Sequence, residues 1–131
     1  FSVSPSIYST FLTFVFDLCV KLAYREGDFT LSSGQKSSYY INGKQVTLKA
    51  EGALAIGRLL LSMLPPDTQG VAGLTLGADP IVSAVSVVSA YEKCPIPAFT
   101  VKNNLVFLSE RDIHSRTHTV SIRSIFLRMT V

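Results

Sequence analysis

Apolar residues recur at Ile7, Phe11, Phe14, Val15, Leu18, Cys19 and Leu22, the three- and four-residue spacing of one helical face. Ser4 before Pro5 supplies an N-cap and a first helical position, and Gly27 supplies a stop. The pattern predicts a helix over about residues 6–26. Two short β-prone runs follow, Phe29-Thr30-Leu31 and Tyr39-Tyr40-Ile41. Ser32-Ser33-Gly34 separates them, and Asn42-Gly43 marks a turn after the second. Lys36 is expected in the turn between the runs.

Downstream the period returns to that of a helix. Residues 50–64, AEGALAIGRLLLSML, place Leu54, Ile56, Leu60, Leu61 and Leu64 on one broad face, and Pro65-Pro66-Asp67 ends the helix. VAGLTL at 71–76 is a short apolar run bounded by glycines, as in a buried parallel strand. GADP at 77–80 reads as a turn, and Pro80 suits the first turn of the next helix. Pro95 stops that helix, and PAFTV at 97–101 is a further buried-strand candidate. Helix, strand, helix, strand is a βαβ rhythm. It predicts an α/β fold with a parallel sheet and flanking helices.

The pattern then fails. Every glycine, proline and alanine lies at or before position 98, and residues 102–131 show no clear period and no turn residues to divide them. They also lack linker composition, so they are expected to be a divergent tail rather than a second domain. A terminus from altered splicing or a shifted reading frame is one reading of it.

Charge sharpens this division. Residues 1–98 carry seven Lys/Arg and seven Asp/Glu, whereas the last 33 carry five and two, so the whole net charge of +3 lies in the tail. Three scattered charges do not make the dense basic face that nucleic acid requires. Cys19 and Cys94 are 75 positions apart, and each is expected to be a buried small hydrophobe, as suits a reducing compartment. The apolar stretch 7–20 is interrupted by Asp17 and closed by Lys21, short of the ~20 residues of a span. It has no basic segment before it and no cleavage site after it, so a soluble helix is expected rather than a membrane segment.

Two stretches carry candidate chemistry. VAGLTLGADP runs from a strand through a Gly loop to a helix start, where free backbone N–H groups and the helix dipole favour an anion. The same residues also suit an ordinary βα turn with Asp79 as the cap. FTLSSGQKSSYYINGK, at 29–44, combines a Lys able to pair with phosphate and tyrosines able to face a flat ring. By themselves, however, those residues favour an exposed Lys36 on a plain hairpin. His114 and His118 have the spacing of metal ligands on a helix, but no third ligand accompanies them.

Four blocks, GDFTLSSGQKSSYYINGKQVTL, EGALAIGRLLLSMLPPD, VAGLTLGADPIVSAVSVVSA and PIPAFTV, together resemble orotate phosphoribosyltransferase, in particular its cyanobacterial form. The resemblance runs from about Leu18 to Val101. It implies a partial type I phosphoribosyltransferase fold, with residues 1–101 forming the N-terminal part of the domain, including a hood. It also implies a glycosyltransferase-class enzyme of pyrimidine (UMP) biosynthesis. That enzyme makes orotidine 5′-monophosphate from orotate and phosphoribosyl pyrophosphate with Mg²⁺, as a cytoplasmic homodimer that binds neither nucleic acid nor membrane.

The resemblance carries site residues one by one. The orotate-facing aromatic pair of the hood falls on Tyr40 and Ile41, of which only Tyr40 is aromatic. Lys36 matches a basic position in the same loop, and Ser32 stands where many members have Lys. The pyrophosphate loop falls on Leu76-Gly77, where many members have Tyr-Lys, so its contacts would come from backbone N–H groups. Lys102 holds a position that is Arg in the family, and Asn103 one that is Lys. The family's catalytic loop is missing, as are its adjacent acidic pair and its ribose-phosphate loop. Glu110 and Asp112, split by Arg111, do not replace the pair. No catalytic residue is therefore assigned, and the chain alone is expected to be weakly active or inactive. The alternative is a non-catalytic truncated homologue that binds orotate or pairs with a full-length subunit.

Overall fold

The computed structural model of the chain describes residues 4–102, 105–107 and 124–127. Helix α1, Pro5–Leu18, begins at Ser4 with Pro5 in its first turn and runs on into a π-helical turn, Cys19–Ala23. It therefore ends before residue 26. Tyr24 is already extended, and strand β1, Tyr24–Thr30, takes up Gly27. Residues 24–26 leave the helix because they have partners across a hairpin. Tyr24, Arg25 and Glu26 pair with Ile41, Tyr40 and Tyr39 of strand β2, Lys36–Ile41. Gly27 is not a helix stop. It lies at φ +150°, in the bulge between Glu26 and Phe29, where a side chain would be strained.

The buried side of α1 carries Tyr8, Phe11, Val15, Leu18, Cys19 and Leu22, all half-buried, while Ile7 and Phe14 of the expected face are exposed. This side packs against α3, where the Arg58 guanidinium lies 5.8 Å from the centre of the Phe11 ring. By length and composition alone Pro5–Ala23 is long enough and apolar enough to cross a membrane, which corrects the shorter sequence count. Asp17 and Lys21 are exposed and pair at 2.8 Å across one helical turn.

After β2, Asn42-Gly43 leads into a one-turn helix α2, Lys44–Thr47, and then α3, Ala50–Met63. The buried residues of α3 are Gly52, Ala55, Gly57, Leu59 and Leu61, and Leu54 of the expected face is exposed. Small residues win this face because helix α4, Asp79–Tyr91, packs closely along it.

Strand β3, Gly70–Leu74, is parallel to β4, Ala98–Lys102, as the βαβ pattern requires. Two segments of the tail, in which the sequence shows no legible period, also join this sheet. Strand β5, Leu105–Phe107, pairs antiparallel with β4, and β6, Ser124–Leu127, pairs parallel with β3, giving the order β5-β4-β3-β6. The second edge of β3 is thus paired rather than open. Backbone pairing is available to any residue but proline, so a segment without a legible period can still supply a strand.

Leu61, Val71, Val82, Val85 and Val88 form the core between α3, α4 and β3. Ser89, fully buried, closes its lower end. Its hydroxyl accepts the Ile96 N–H at 2.8 Å and donates to the Ser86 carbonyl at 2.7 Å. Cys19 and Cys94 are free thiols, half-buried rather than buried.

Candidate functional site

The β1–β2 hairpin forms one half of the site. It lines a groove of roughly 630 Å³ with Phe29, Leu31, Ser32, Tyr40 and Ile41 among its walls. Tyr40 is half-buried, and its ring leans on Phe29 at 5.7 Å between centroids and 35° between planes. Ile41 follows it and is exposed. Tyr39 stacks on Tyr24 at 6.0 Å and 26°. The Tyr24 hydroxyl donates to a Glu26 carboxylate oxygen at 3.1 Å. Partial desolvation, and then the Glu26 carboxylate, push the Tyr24 phenol up.

Lys36 is not in the Ser/Gly turn. That turn closes one residue earlier, where the Leu31 N–H donates to the Gln35 carbonyl at 2.8 Å. Lys36 opens β2 opposite Thr30, exposed, outside the lining of the groove. The cation and the aromatic face of the same stretch are therefore not brought together.

The other half is the loop between β3 and α4. Its first residue is tied to the neighbouring strand, because the Thr75 N–H donates to the Val101 carbonyl at 3.0 Å. Its far end is tied back to β3, because the Ala78 N–H donates to the Leu74 carbonyl at 3.1 Å. Between these ties Leu76 is 76% exposed, and the space where a side chain of Gly77 would stand is open. The Thr75–Leu76 peptide bond is cis. Among the described residues the N–H groups of Leu76 and Gly77 have no hydrogen-bond partner. They sit ahead of the first turn of a 13-residue helix, where the dipole favours negative charge.

Asp79 does not cap that helix. Ala78 occupies the N-cap position, and Asp79 is the first helical residue, with its Oδ1 buried and without a hydrogen-bond partner. Lys102 is the last residue of β4, one beyond the Val101 carbonyl that holds the loop. It thus ends β4 at the same C-terminal end of the parallel strands as this loop, where ligands of open α/β sheets bind. Among the described residues no hydrogen bond or ring contact joins the hairpin groove to this loop. Asn103, Glu110, Asp112, His114 and His118 lie outside the described residues.

Sequence reasoning missed Phe29 as the partner of Tyr40 and Thr75 as the anchor of the loop. No local signal gave the first, since the bulge at Gly27 resets the register that brings the two rings together.

The partial parallel sheet with flanking helices, with an open loop at the strand ends, is shared with solved phosphoribosyltransferases, and the chain's fold class is that of the type I phosphoribosyltransferases. Its structure is similar to orotate phosphoribosyltransferase from Mycobacterium tuberculosis in complex with inorganic phosphate. The TM-score is 0.61 at 34% identity, covering 77% of this chain and 59% of that one. The same protein in complex with 5-phospho-α-D-ribosyl 1-diphosphate is also similar, with a TM-score of 0.61 at 34% identity, covering 76% and 57%. In sequence the chain is 72% identical over 94 residues to orotate phosphoribosyltransferase of Nostoc, covering 72% of this chain and 46% of that protein. It is 44% identical over 77 residues to the Aquifex aeolicus protein of that name, covering 56% and 41%. No protein-family model matches the chain. Within the class, the chain belongs to the orotate phosphoribosyltransferase family. It spans less than half the length of the curated relatives it matches.

Proposed function

We propose that the chain carries the hood and pyrophosphate-loop part of an orotate phosphoribosyltransferase, with residues 1–101 as the N-terminal part of that domain and 102–131 as a divergent tail. The observation that carries this reading is the loop Thr75–Ala78. It is pinned at both ends, and the unpaired N–H groups of Leu76 and Gly77 lie between the pins at a helix start. Such a loop takes the pyrophosphate of phosphoribosyl pyrophosphate through its backbone, with Lys102 adding charge at the same sheet end. Tyr40, leaning on Phe29, offers a ring face to orotate, with Ile41 beside it. Lys36, at the rim of the hairpin, contributes to the potential around phosphate rather than to the groove.

Among the described residues no group of three or more His, Cys, Asp or Glu side chains is placed to hold a metal, so they do not form a Mg²⁺ cage. In this reading the ion enters with the pyrophosphate, which is how Mg²⁺ commonly binds. The reaction joins orotate to the ribose and releases pyrophosphate, and the chain is cytoplasmic.

The chain alone has little or no turnover. Positive character on the ribose and negative charge on the leaving pyrophosphate must be clamped together in a closed site. The adjacent acidic pair and glycine-rich loop that would do this are absent from residues 102–131. Purified chain assayed with orotate, phosphoribosyl pyrophosphate and Mg²⁺ gives no turnover at an ordinary enzyme rate, and such turnover would sink the proposal.

A second reading is favoured by the exposed apolar residues of α1 and α4, among them Phe16, Val87 and Tyr91. It is that the chain pairs with an intact subunit, as one half of a dimer, without catalysing. Size-exclusion chromatography with a full-length homologue tests it, and separate elution counts against it.

A further inference from the structure

We infer that Gly73 and Ala78 are a matched pair that sets the position of the loop between them, so that Gly73 is a positioning residue for anion binding at Leu76 and Gly77. The inference rests on the loop reading proposed above and adds what holds the loop in shape. Gly73 lies on the face of β3 that meets α4, two residues along from the core residue Val71. A Cβ at Gly73 would overlap the Ala78 methyl and stand 3.3 Å from Cγ1 of Val82. Ala78 is fully buried, as is Val82 one helical turn later, so neither has room to withdraw.

Ala78 is also a junction in the hydrogen-bond pattern. Its N–H holds the Leu74 carbonyl, and its own carbonyl accepts the Ile81 and Val82 N–H groups, each at 3.0 Å. Any added bulk at Gly73 therefore pushes on the residue that both ends the loop and starts the helix. The other end is held by Thr75 on Val101 and does not move with it. The displacement falls on Leu76 and Gly77, whose N–H groups have no other restraint among the described residues. Backbone donors bind an anion only when they converge, and losing one such hydrogen bond to a charged group weakens binding by about tenfold or more.

The test uses the whole chain and three variants, Gly73→Ala, Ala78→Gly and the double variant, with Leu61→Ala as a control that loosens the same core away from the loop. Amide shifts of Leu76 and Gly77 are read without ligand, and the affinity for inorganic pyrophosphate is read by calorimetry below the unfolding range. Gly73→Ala moves both amides and weakens pyrophosphate binding at least about tenfold, and removal of the Ala78 methyl in the double variant restores both. Leu61→Ala lowers stability and leaves both readouts at wild-type values. The inference is overturned if Gly73→Ala leaves the amides in place, if the double variant regains stability but not the amide positions, or if Leu61→Ala shifts them equally. Should Gly73→Ala fail to fold, Ala78→Gly alone decides. It moves the same two amides by loosening the loop, and unmoved amides overturn the inference. If wild-type chain does not bind pyrophosphate yet the amides respond as stated, the anion reading falls and the positioning pair stands.

Discussion

Val71 and Ala72 on β3 are 1% and 2% exposed, whereas no residue of β1 or β2 is buried. Both regions are strands, and both contain large or branched residues suited to strands. They differ in what lies on either side. Strand β3 is paired on both edges and covered by α4, so its stability comes from apolar burial. The hairpin has one paired edge per strand and holds together by backbone pairing and two ring pairs, Tyr24–Tyr39 and Phe29–Tyr40. Rings outside a core contribute less to folding, so in the proposed function the hairpin's aromatic surface can serve binding at little cost in stability, while the βαβ unit supplies most of the burial.

Graded substitutions can break this contrast. Leu61→Ala, in the core, costs about 2–5 kcal/mol, read as a fall in the urea midpoint with an unchanged slope. Ser89→Ala leaves the Ile96 N–H without its acceptor in a half-buried position and costs about 1 kcal/mol. Hydrogen exchange at Ile96 rises with it. Tyr40→Ala removes a ring pair from a half-exposed hairpin and costs about 0.5–1.5 kcal/mol, and under the proposed function it also abolishes orotate binding, read by calorimetry. A Tyr40→Ala loss in stability as large as that of Leu61→Ala would place the hairpin in the core and remove the contrast.

The smallest effect concerns pH. Burial raises the Cys19 thiol pKa, because desolvation disfavours the thiolate. The folded chain thus prefers the neutral thiol. The stability this gives is present below the thiol's unfolded pKa and is lost as pH rises through the raised folded value. Alkylation of Cys19 followed against pH reaches half-maximal rate at a higher pH than for a free cysteine, and a midpoint at the free value counts against the burial of this turn.

The positions of β3, α4 and β4 were legible from residues alone, because strand and helix periods alternate cleanly there and Pro80 and Pro95 punctuate them. The end of α1 was not. Gly27 is an ordinary helix stop by composition, but residues 24–26 were claimed by the opposing strand three residues earlier. The buried face of α3 was misjudged for a related reason. Leu54 is the larger hydrophobe, yet Ala55 is buried because a close helix neighbour selects for small size rather than for hydrophobicity alone. In the site, the Gly loop before α4 could be read directly. That Lys36 parts company with the tyrosines could not, since it depends on where the turn closes its hydrogen bonds.

By itself, then, the order of apolar and turn residues determined the βαβ unit and the loop at its head, since both follow from local periods and backbone rules. Only the tertiary structure decided the rest. It placed Phe29 against Tyr40, Thr75 on Val101, Ala78 under Gly73, and two strands from a tail with no legible pattern beside β3 and β4. Some of these contacts join residues far apart in sequence or across a bulge, and the nearer ones, Gly73 with Ala78 and β4 with β5, depend on how the chain turns between the partners. The free energy of each comes from the partner and its placement, which the period around one residue does not specify.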